Sequence, residues 1–106
     1  MKKVPSTSGC ADILKALGDA TRLQVLQVLL GGPLHVNGLM EKVDVEQSLL
    51  SHHLKVLRDA GLVLAERDGK AVLYRISPEV KGTGQGLDLK CCQVTFHPVL
   101  KGRKSP

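Results

Sequence analysis

Residues 45–61, VEQSLLSHHLKVLRDAG, form the stretch around which the rest of the chain is organised. At the angular spacing of an α-helix, one side collects five apolar residues: Leu49, Leu50, Leu54, Val56 and Leu57. The other side collects six polar or basic residues: Gln47, Ser48, Ser51, His52, Lys55 and Arg58. The pattern predicts an amphipathic helix that ends at Gly61, with one face in a core and one in solvent.

The polar side of this helix suits a nucleic-acid partner. Short donors and acceptors occupy its first two turns, where a helix in the major groove meets base edges. Lys55 and Arg58 follow one and two turns later, where phosphates would lie. An ordinary solvated surface is the alternative that this helix alone leaves open.

Three shorter helices are predicted before this stretch. Ser8 can cap the first, which Gly18 ends, and Asp19 can cap the second, residues 20–30, whose wide apolar surface indicates a central helix. A Gly-Gly-Pro stop then precedes a third helix at residues 34–42. A short turn joins the third helix to the amphipathic one, which is the helix-turn-helix arrangement.

After Gly61 the apolar period changes from helical to strand-like. Runs at 62–66 and 71–76, joined by a loop with an Asp-Gly pair, predict a tight β-hairpin, the wing of a winged helix. Arg67 and Lys70 at its tip, with Arg75 on the second strand, can reach a nucleic-acid backbone or minor groove. A solvated hairpin tip is the alternative.

Composition narrows the classes of partner and compartment. The 106 residues suit one domain, and a formal charge of +5 with a pI near 9.3 favours a polyanion such as duplex DNA. With Tyr74 and Phe96 as the only aromatics, stacking of unpaired bases is disfavoured. No apolar leader or membrane span is predicted, so we expect a soluble, cytoplasmic protein whose three cysteines are thiols.

Residues from about 12 to 77 resemble the ArsR/SmtB family of bacterial winged-helix repressors, through LKALGDATRLQVLQVLL, QSLLSHHLKVLRDAGLV and ERDGKAVLYRIS. The resemblance implies a homodimer that binds double-stranded operator DNA and releases it when a metal ion, metalloid or oxidant is sensed. It also implies that four residues face bases: Gln47, Ser48, Ser51 and His52. Four others would face phosphates: Lys55, Arg58, Arg67 and Lys70. His53 falls within the apolar arc, and we expect it to be buried and hydrogen-bonded.

The chain departs from the family at its two common sensing sites. Where the family often carries Cys-x-Cys in the third helix, residues 35–38 read His-Val-Asn-Gly and offer no soft thiolate. The family's long terminal helix is also disfavoured, because three glycines in KGTGQG each cost about 1 kcal/mol in a helix. Residues 78–86 are therefore predicted to form a Gly-rich linker.

The C-terminal segment LDLKCCQVTF favours a strand at residues 87–97, with Cys91 and Cys92 on opposite faces. A thiol-based sensor of As(III), Cu(I), Zn(II) or an oxidant would draw on Cys10, Cys91, Cys92 and His97. Incidental or structural cysteines are the alternative.

Together these patterns predict a mainly α fold with a small β-hairpin wing (α+β), a winged helix-turn-helix with an atypical C-terminal strand replacing the long terminal helix. Its parts would be a flexible tail (1–7), the DNA-binding domain (8–77), the linker (78–86), the strand (87–97) and a basic flexible tail (98–106). The predicted function is a homodimeric DNA-binding repressor, with a winged-helix protein-interaction module or a repressor without inducer as alternatives. Catalytic motifs are missing, so we do not expect an enzyme.

Overall fold

The computed structural model describes residues 5–83 and 85–96, which fold into four helices and two small sheets. The elements in chain order are α1 (Pro5–Leu17), α2 (Ala20–Leu29), β1 (Leu34–His35), α3 (Val36–Lys42), α4 (Gln47–Asp59), β2 (Val63–Asp68), β3 (Ala71–Ile76), β4 (Lys81–Gly82), β5 (Gly86–Asp88) and β6 (Gln93–Thr95). Both sheets are antiparallel, with strand orders β1-β3-β2 and β4-β5-β6.

The core is aliphatic and α2 lies within it, as its wide apolar surface predicts. Val25, Leu26 and Leu29 of α2 are almost completely buried. The helix begins where predicted, because the Asp19 carboxylate accepts a hydrogen bond from the backbone N–H of Arg22 at 3.1 Å. This cap fixes the start of the helix against which the others pack.

Helix α4 ends at the glycine that its sequence indicates. The N–H of Leu62 donates to the carbonyl of Leu57, and the N–H of Gly61 donates to the carbonyl of Arg58, both at 2.9 Å. These two bonds form a Schellman motif, which needs the left-handed φ of 80° that Gly61 adopts. The chain therefore leaves α4 sharply and enters the wing.

The wing, defined as β2 and β3, is a regular hairpin close to its predicted bounds. Val63 pairs with Ile76 and Asp68 pairs with Ala71, which leaves a two-residue turn at Gly69 and Lys70. Gly69 has a φ of 66°, which such a turn requires at its first position. A helix-turn-helix (α3 and α4) followed by this wing reproduces the predicted order of elements.

Two predictions for the N-terminal half are wrong in their bounds. Helix α1 begins at Pro5 and not at Ser8, because proline suits the first helical position, so residues 5–7 belong to this helix and not to the predicted N-terminal tail. The third helix begins at Val36, because Leu34 and His35 form a strand that pairs with Tyr74 and Leu73 of the wing.

The C-terminal prediction is also wrong in its detail. Residues 78–86 are not wholly an irregular linker, since Lys81 and Gly82 pair with Asp88 and Leu87. The predicted single strand is a hairpin of β5 and β6, because the chain reverses at residues 89–92. We call β4, β5 and β6 the C-terminal sheet. Leu87 and Leu89 anchor it in the main core, with exposures of 0% and 5%.

Of the helices in the described ranges, none has both the length and the apolar character that a membrane crossing requires.

Candidate nucleic-acid interface

Helix α4 presents one polar side to solvent. We call this side the recognition face, and all six of its residues are exposed: Gln47, Ser48, Ser51, His52, Lys55 and Arg58. The opposite side is sealed into the core by Leu50, Leu54 and Leu57, none more than 1% exposed. The prediction fails at Leu49, which lies outside the core and is 44% exposed.

His53 is the buried histidine that the sequence predicts, at 7% exposure. Its Nδ1 lies 3.1 Å from Nη1 of Arg22, and a guanidinium can only donate. Nδ1 is therefore the unprotonated acceptor, and the ring proton belongs on Nε2, 3.8 Å from the Asp19 carboxylate. His53 thus links the buried side of α4 to Arg22 of α2 and does not belong to the recognition face.

Asp19, at the start of α2, is the third member of this group with Arg22 and His53. The hydrogen bond from the backbone N–H of Arg22 lowers the pKa of the Asp19 carboxyl below its usual value, against an opposing effect of partial burial. The positive charge of the nearby Arg22 guanidinium adds to the lowering. Asp19 therefore stays ionised at neutral pH, where its charge supports the helix cap.

The structure brings the beginning of α4 next to the wing. Gln47 lines an open cleft together with His35 and Asn37 on one side and with Ala71, Val72 and Tyr74 of β3 on the other. His35 also reaches the wing, because its Nε2 lies 2.8 Å from a carboxylate oxygen of Asp68. Sequence reasoning missed this pair, since it joins residues far apart in the chain.

The basic residues proposed for phosphate contacts differ in their exposure and in whether a carboxylate lies beside them. Arg67 and Lys70, at the end of the wing, are exposed. Arg75 is half-buried, and its guanidinium lies 3.0 Å from the carboxylate of Glu66 on the neighbouring strand. Lys55 lies 2.9 Å from Asp59 in a pair that is mostly solvent-exposed. An exposed pair of this kind contributes at most about 1 kcal/mol, so Lys55 can exchange Asp59 for a phosphate.

The structure gathers the three cysteines, which we call the thiol cluster. Cys10 of α1 and Cys91 are joined by a disulfide with a Cα–Cα distance of 5.8 Å, so the prediction of three free thiols is wrong here. Cys92 Sγ lies 3.9 Å from Cys91 Sγ, because both residues lie in the β5–β6 turn and not on opposite faces of a strand. His97, the fourth predicted member, lies outside the described residues.

A metal centre finds little support in the described part of the chain. Within residues 5–83 and 85–96, no three His, Cys, Asp or Glu side chains are arranged to hold a metal ion. The disulfide also removes two thiolates, which are the ligands that soft metals and metalloids prefer. The thiol cluster fits redox chemistry better than metal binding.

Comparison with known proteins adds independent information. The family model for bacterial regulatory proteins of the arsR family matches residues 19–64. NmtR, a transcriptional regulator of Mycobacterium tuberculosis, is 44% identical over 66 residues, 62% of this chain. The matched segment is 55% of NmtR, so this chain spans about half the length of that relative.

Two further comparisons cover more of the partner protein. The transcriptional activator HlyU of Vibrio cholerae is 39% identical over 82 residues, 76% of each chain. The solution structure of a homodimeric winged helix-turn-helix DNA-binding domain from Mycobacterium bovis aligns with a TM-score of 0.67 at 32% identity, over 71% of this chain and 69% of that one. The predicted winged helix-turn-helix fold is thereby confirmed, and the chain belongs to the arsR family of bacterial regulatory proteins.

Proposed function

We propose that this chain is a DNA-binding transcriptional regulator that inserts α4 into the major groove. The observation that carries the proposal is the division of α4 into an exposed recognition face and a side that is locked into the core. A helix held so firmly presents its polar side chains from fixed backbone positions, which supports sequence-specific recognition. Gln47, Ser48, Ser51 and His52 are assigned to base edges.

The proposed phosphate contacts come from α4 and the wing. Four exposed cations can approach a DNA backbone: Lys55, Arg58, Arg67 and Lys70. Lys55 would do so by exchanging its exposed pair with Asp59. Arg75 is assigned a supporting part, because its charge is already matched by Glu66. The formal charge of +5 adds a general attraction for the duplex.

The regulator is proposed to act as a homodimer, as the relative from Mycobacterium bovis does. Leu14 on α1 is 53% exposed and offers an apolar contact for a second copy. Two recognition helices related by a two-fold axis would enter successive major grooves about 34 Å apart and read an imperfect palindrome.

The DNA contacts can be tested by fluorescence anisotropy on a duplex that the protein selects from a random library. We expect Gln47→Ala to weaken binding to this duplex by about 1–3 kcal/mol while leaving binding to unrelated DNA almost unaffected, because it removes a base contact. Lys70→Ala should weaken binding to both duplexes and reduce the log–log salt slope by about 0.9, the effect of one phosphate contact. The control is Lys81→Ala, the same charge change at an exposed residue of the C-terminal sheet.

The same titration separates DNA binding from the rival function, a winged-helix module that binds protein. A protein that neutralises several phosphates loses affinity steeply as salt rises. If no duplex is enriched, or the salt slope is shallow and equal in all three variants, the chain is not a DNA-binding protein of the proposed kind.

The direction of regulation is proposed to be repression, by steric exclusion of RNA polymerase from the operator. HlyU carries the name of an activator, so a reporter fused to the selected duplex decides the matter. Repression predicts lower reporter output in the presence of the protein, and activation predicts the opposite.

We further propose that oxidation of the thiol cluster releases the DNA. Reduced Cys10 and Cys91 would form their disulfide by giving two protons and two electrons to hydrogen peroxide, which is reduced to two molecules of water. The new bond ties α1 to the β5–β6 turn, so the two redox states constrain α1 differently. Since α1 is also the proposed dimer surface, a change there can alter the spacing of the two recognition helices.

The oxidation response has a direct test in serine variants. We expect mild peroxide treatment to weaken DNA binding of the reduced wild-type protein by roughly 5–150-fold, the usual range of coupling between two sites. Cys10→Ser and Cys91→Ser should each abolish the response, whereas Cys92→Ser should keep it. If wild type is indifferent to the oxidant, the chain is a regulator without this inducer, and if all three variants still respond, the disulfide is not the sensor.

A further inference from the structure

Leu49 is an apolar residue in the first turn of a helix whose neighbouring surface is polar. It is 44% exposed, and of the large hydrophobic side chains in the described residues only Leu14 of α1 and Leu49 are exposed. Ser48, the preceding residue, and His52, which lies one turn later on the same side of the helix, are also exposed. Leu49 therefore stands at the edge of the recognition face.

The core of the protein does not use Leu49. Helix α4 is sealed by Leu50, Leu54 and Leu57, with His53 held by Arg22 beside them. A single exposed leucine is common on protein surfaces and by itself indicates nothing. Its position matters here because the first turn of α4 is the part that would lie deepest among the base edges.

The major groove offers one strongly apolar feature, the C5-methyl group of thymine. We infer that Leu49 is a specificity-determining residue that packs against a thymine methyl in each half of the operator. This inference rests on the proposed function. It names a feature of the DNA, the thymine methyl group, that hydrogen bonds from the polar residues of the recognition face do not recognise. The operator is accordingly expected to hold a thymine at a fixed place in each half-site.

Leu49 would also act against the wrong base. A leucine side chain has no hydrogen-bonding group, so cytosine at the same place would lose water from its N4 amino group without a replacement partner. The preference for thymine thus has two sources, the apolar packing of leucine against the thymine methyl and the unpaired amino group that cytosine would present.

Deoxyuridine isolates the methyl group, because it pairs with adenine like thymidine but lacks the C5-methyl. The probe is the duplex selected by wild-type protein from a random library, synthesised with each thymidine replaced in turn by deoxyuridine. In each half-site, we expect one thymidine whose replacement weakens wild-type binding about fourfold. This is the effect of losing one buried methyl contact. Leu49→Ala should bind the two forms of the duplex equally, and Leu49→Met, which keeps an apolar side chain, should retain the preference.

Because Leu49 is exposed, all three proteins should unfold at the same temperature, which separates a lost contact from a lost fold. If wild type tolerates deoxyuridine at every position, or if Leu49→Ala keeps the wild-type preference for thymidine, the inference is wrong. Such a result leaves the proposed function intact, since binding to the selected duplex continues. Failure to select any duplex would instead overturn the proposed function itself.

Discussion

Replacing Gly86 with alanine should destabilise the C-terminal sheet more than adding one methyl group at any other position of that sheet. A Cβ atom at Gly86 would overlap the carbonyl oxygen of Val94 and lie 2.9 Å from the Cα of Thr95. All of these neighbours are backbone atoms of β6, so no side-chain rotation relieves the clash. The glycine is required by close approach of two strands and not by its φ, which is not positive.

We expect Gly86→Ala to lower the free energy of unfolding by about 2–3 kcal/mol, the upper part of the range for overpacking. Detachment of the sheet would not avoid the loss, because Leu87 and Leu89 would leave the core. The measurement is urea denaturation in the presence of a reductant, so that the Cys10–Cys91 disulfide does not contribute.

Gly82→Ala is the matched control for this substitution. A Cβ at Gly82, in the neighbouring strand β4, would meet only the Cδ2 atom of Leu30 at 3.4 Å, and that side chain can move. Its effect should stay below about 0.5 kcal/mol. Equal urea midpoints for the two variants would show that β5 and β6 are not packed as described.

The helices could be predicted from the sequence because their signals are local. The recognition face follows from helical periodicity, and Gly61 and Asp19 act as the caps that their positions indicate. The wing follows from two short apolar runs around a turn that contains Gly69. Each of these features depends on residues close together in the chain.

The C-terminal hairpin is not predicted because Asp88 is the one residue near its turn that favours a reversal, where its carboxylate accepts from the N–H of Lys90 at 3.0 Å. The chain reverses through Lys90, which adopts a φ of 76° that is uncommon for any residue except glycine. Cys91 N–H donates to the carbonyl of Leu89 at 2.8 Å, which closes a strained three-residue turn. Without a Gly, Asn or Pro at residues 89–92, a single Asp does not outweigh the pattern of one continuous strand.

Other differences arise from contacts between distant parts of the chain. β1 has only two residues and exists because Leu34 and His35 find partners on β3. The Cys10–Cys91 pair needs α1 and the C-terminal sheet to meet across 81 residues of sequence. The helical wheel assigns Leu49 to the apolar side of α4, but the core is filled without it. Periodicity and local motifs in a single sequence do not show which of these distant residues come into contact.

Arg22→Ala is the second substitution with a large expected effect, because the Arg22 side chain joins three helices. Its Nε donates to the carbonyl of Ala16 at 2.6 Å, at the end of α1, where helical carbonyls otherwise lack partners. Its Nη1 donates to Nδ1 of the buried His53 on α4. Its Nη2 also donates to the carbonyl of Lys15 at 3.4 Å. Alanine would keep the backbone cap from Asp19 and lose all three side-chain bonds.

We expect Arg22→Ala to reduce the free energy of unfolding by about 2–3 kcal/mol, since bonds from a charged donor are lost and Nδ1 of the buried His53 is left without its donor. Arg58→Ala, at an exposed site on α4, is the control for loss of an arginine charge and should change stability by less than about 0.5 kcal/mol. Urea denaturation of both variants measures the difference.

A double-mutant cycle with His53→Ala shows whether the bond between Arg22 and His53 is the cause. Once the imidazole is absent, removing the guanidinium no longer leaves an unpaired acceptor inside the protein. The combined loss should therefore be smaller than the sum of the two single losses, by at least about 0.5 kcal/mol. Simple additivity would mean that Arg22 acts only through the end of α1. Coupling would mean that α4, and with it the recognition face, is oriented by a hydrogen bond from α2.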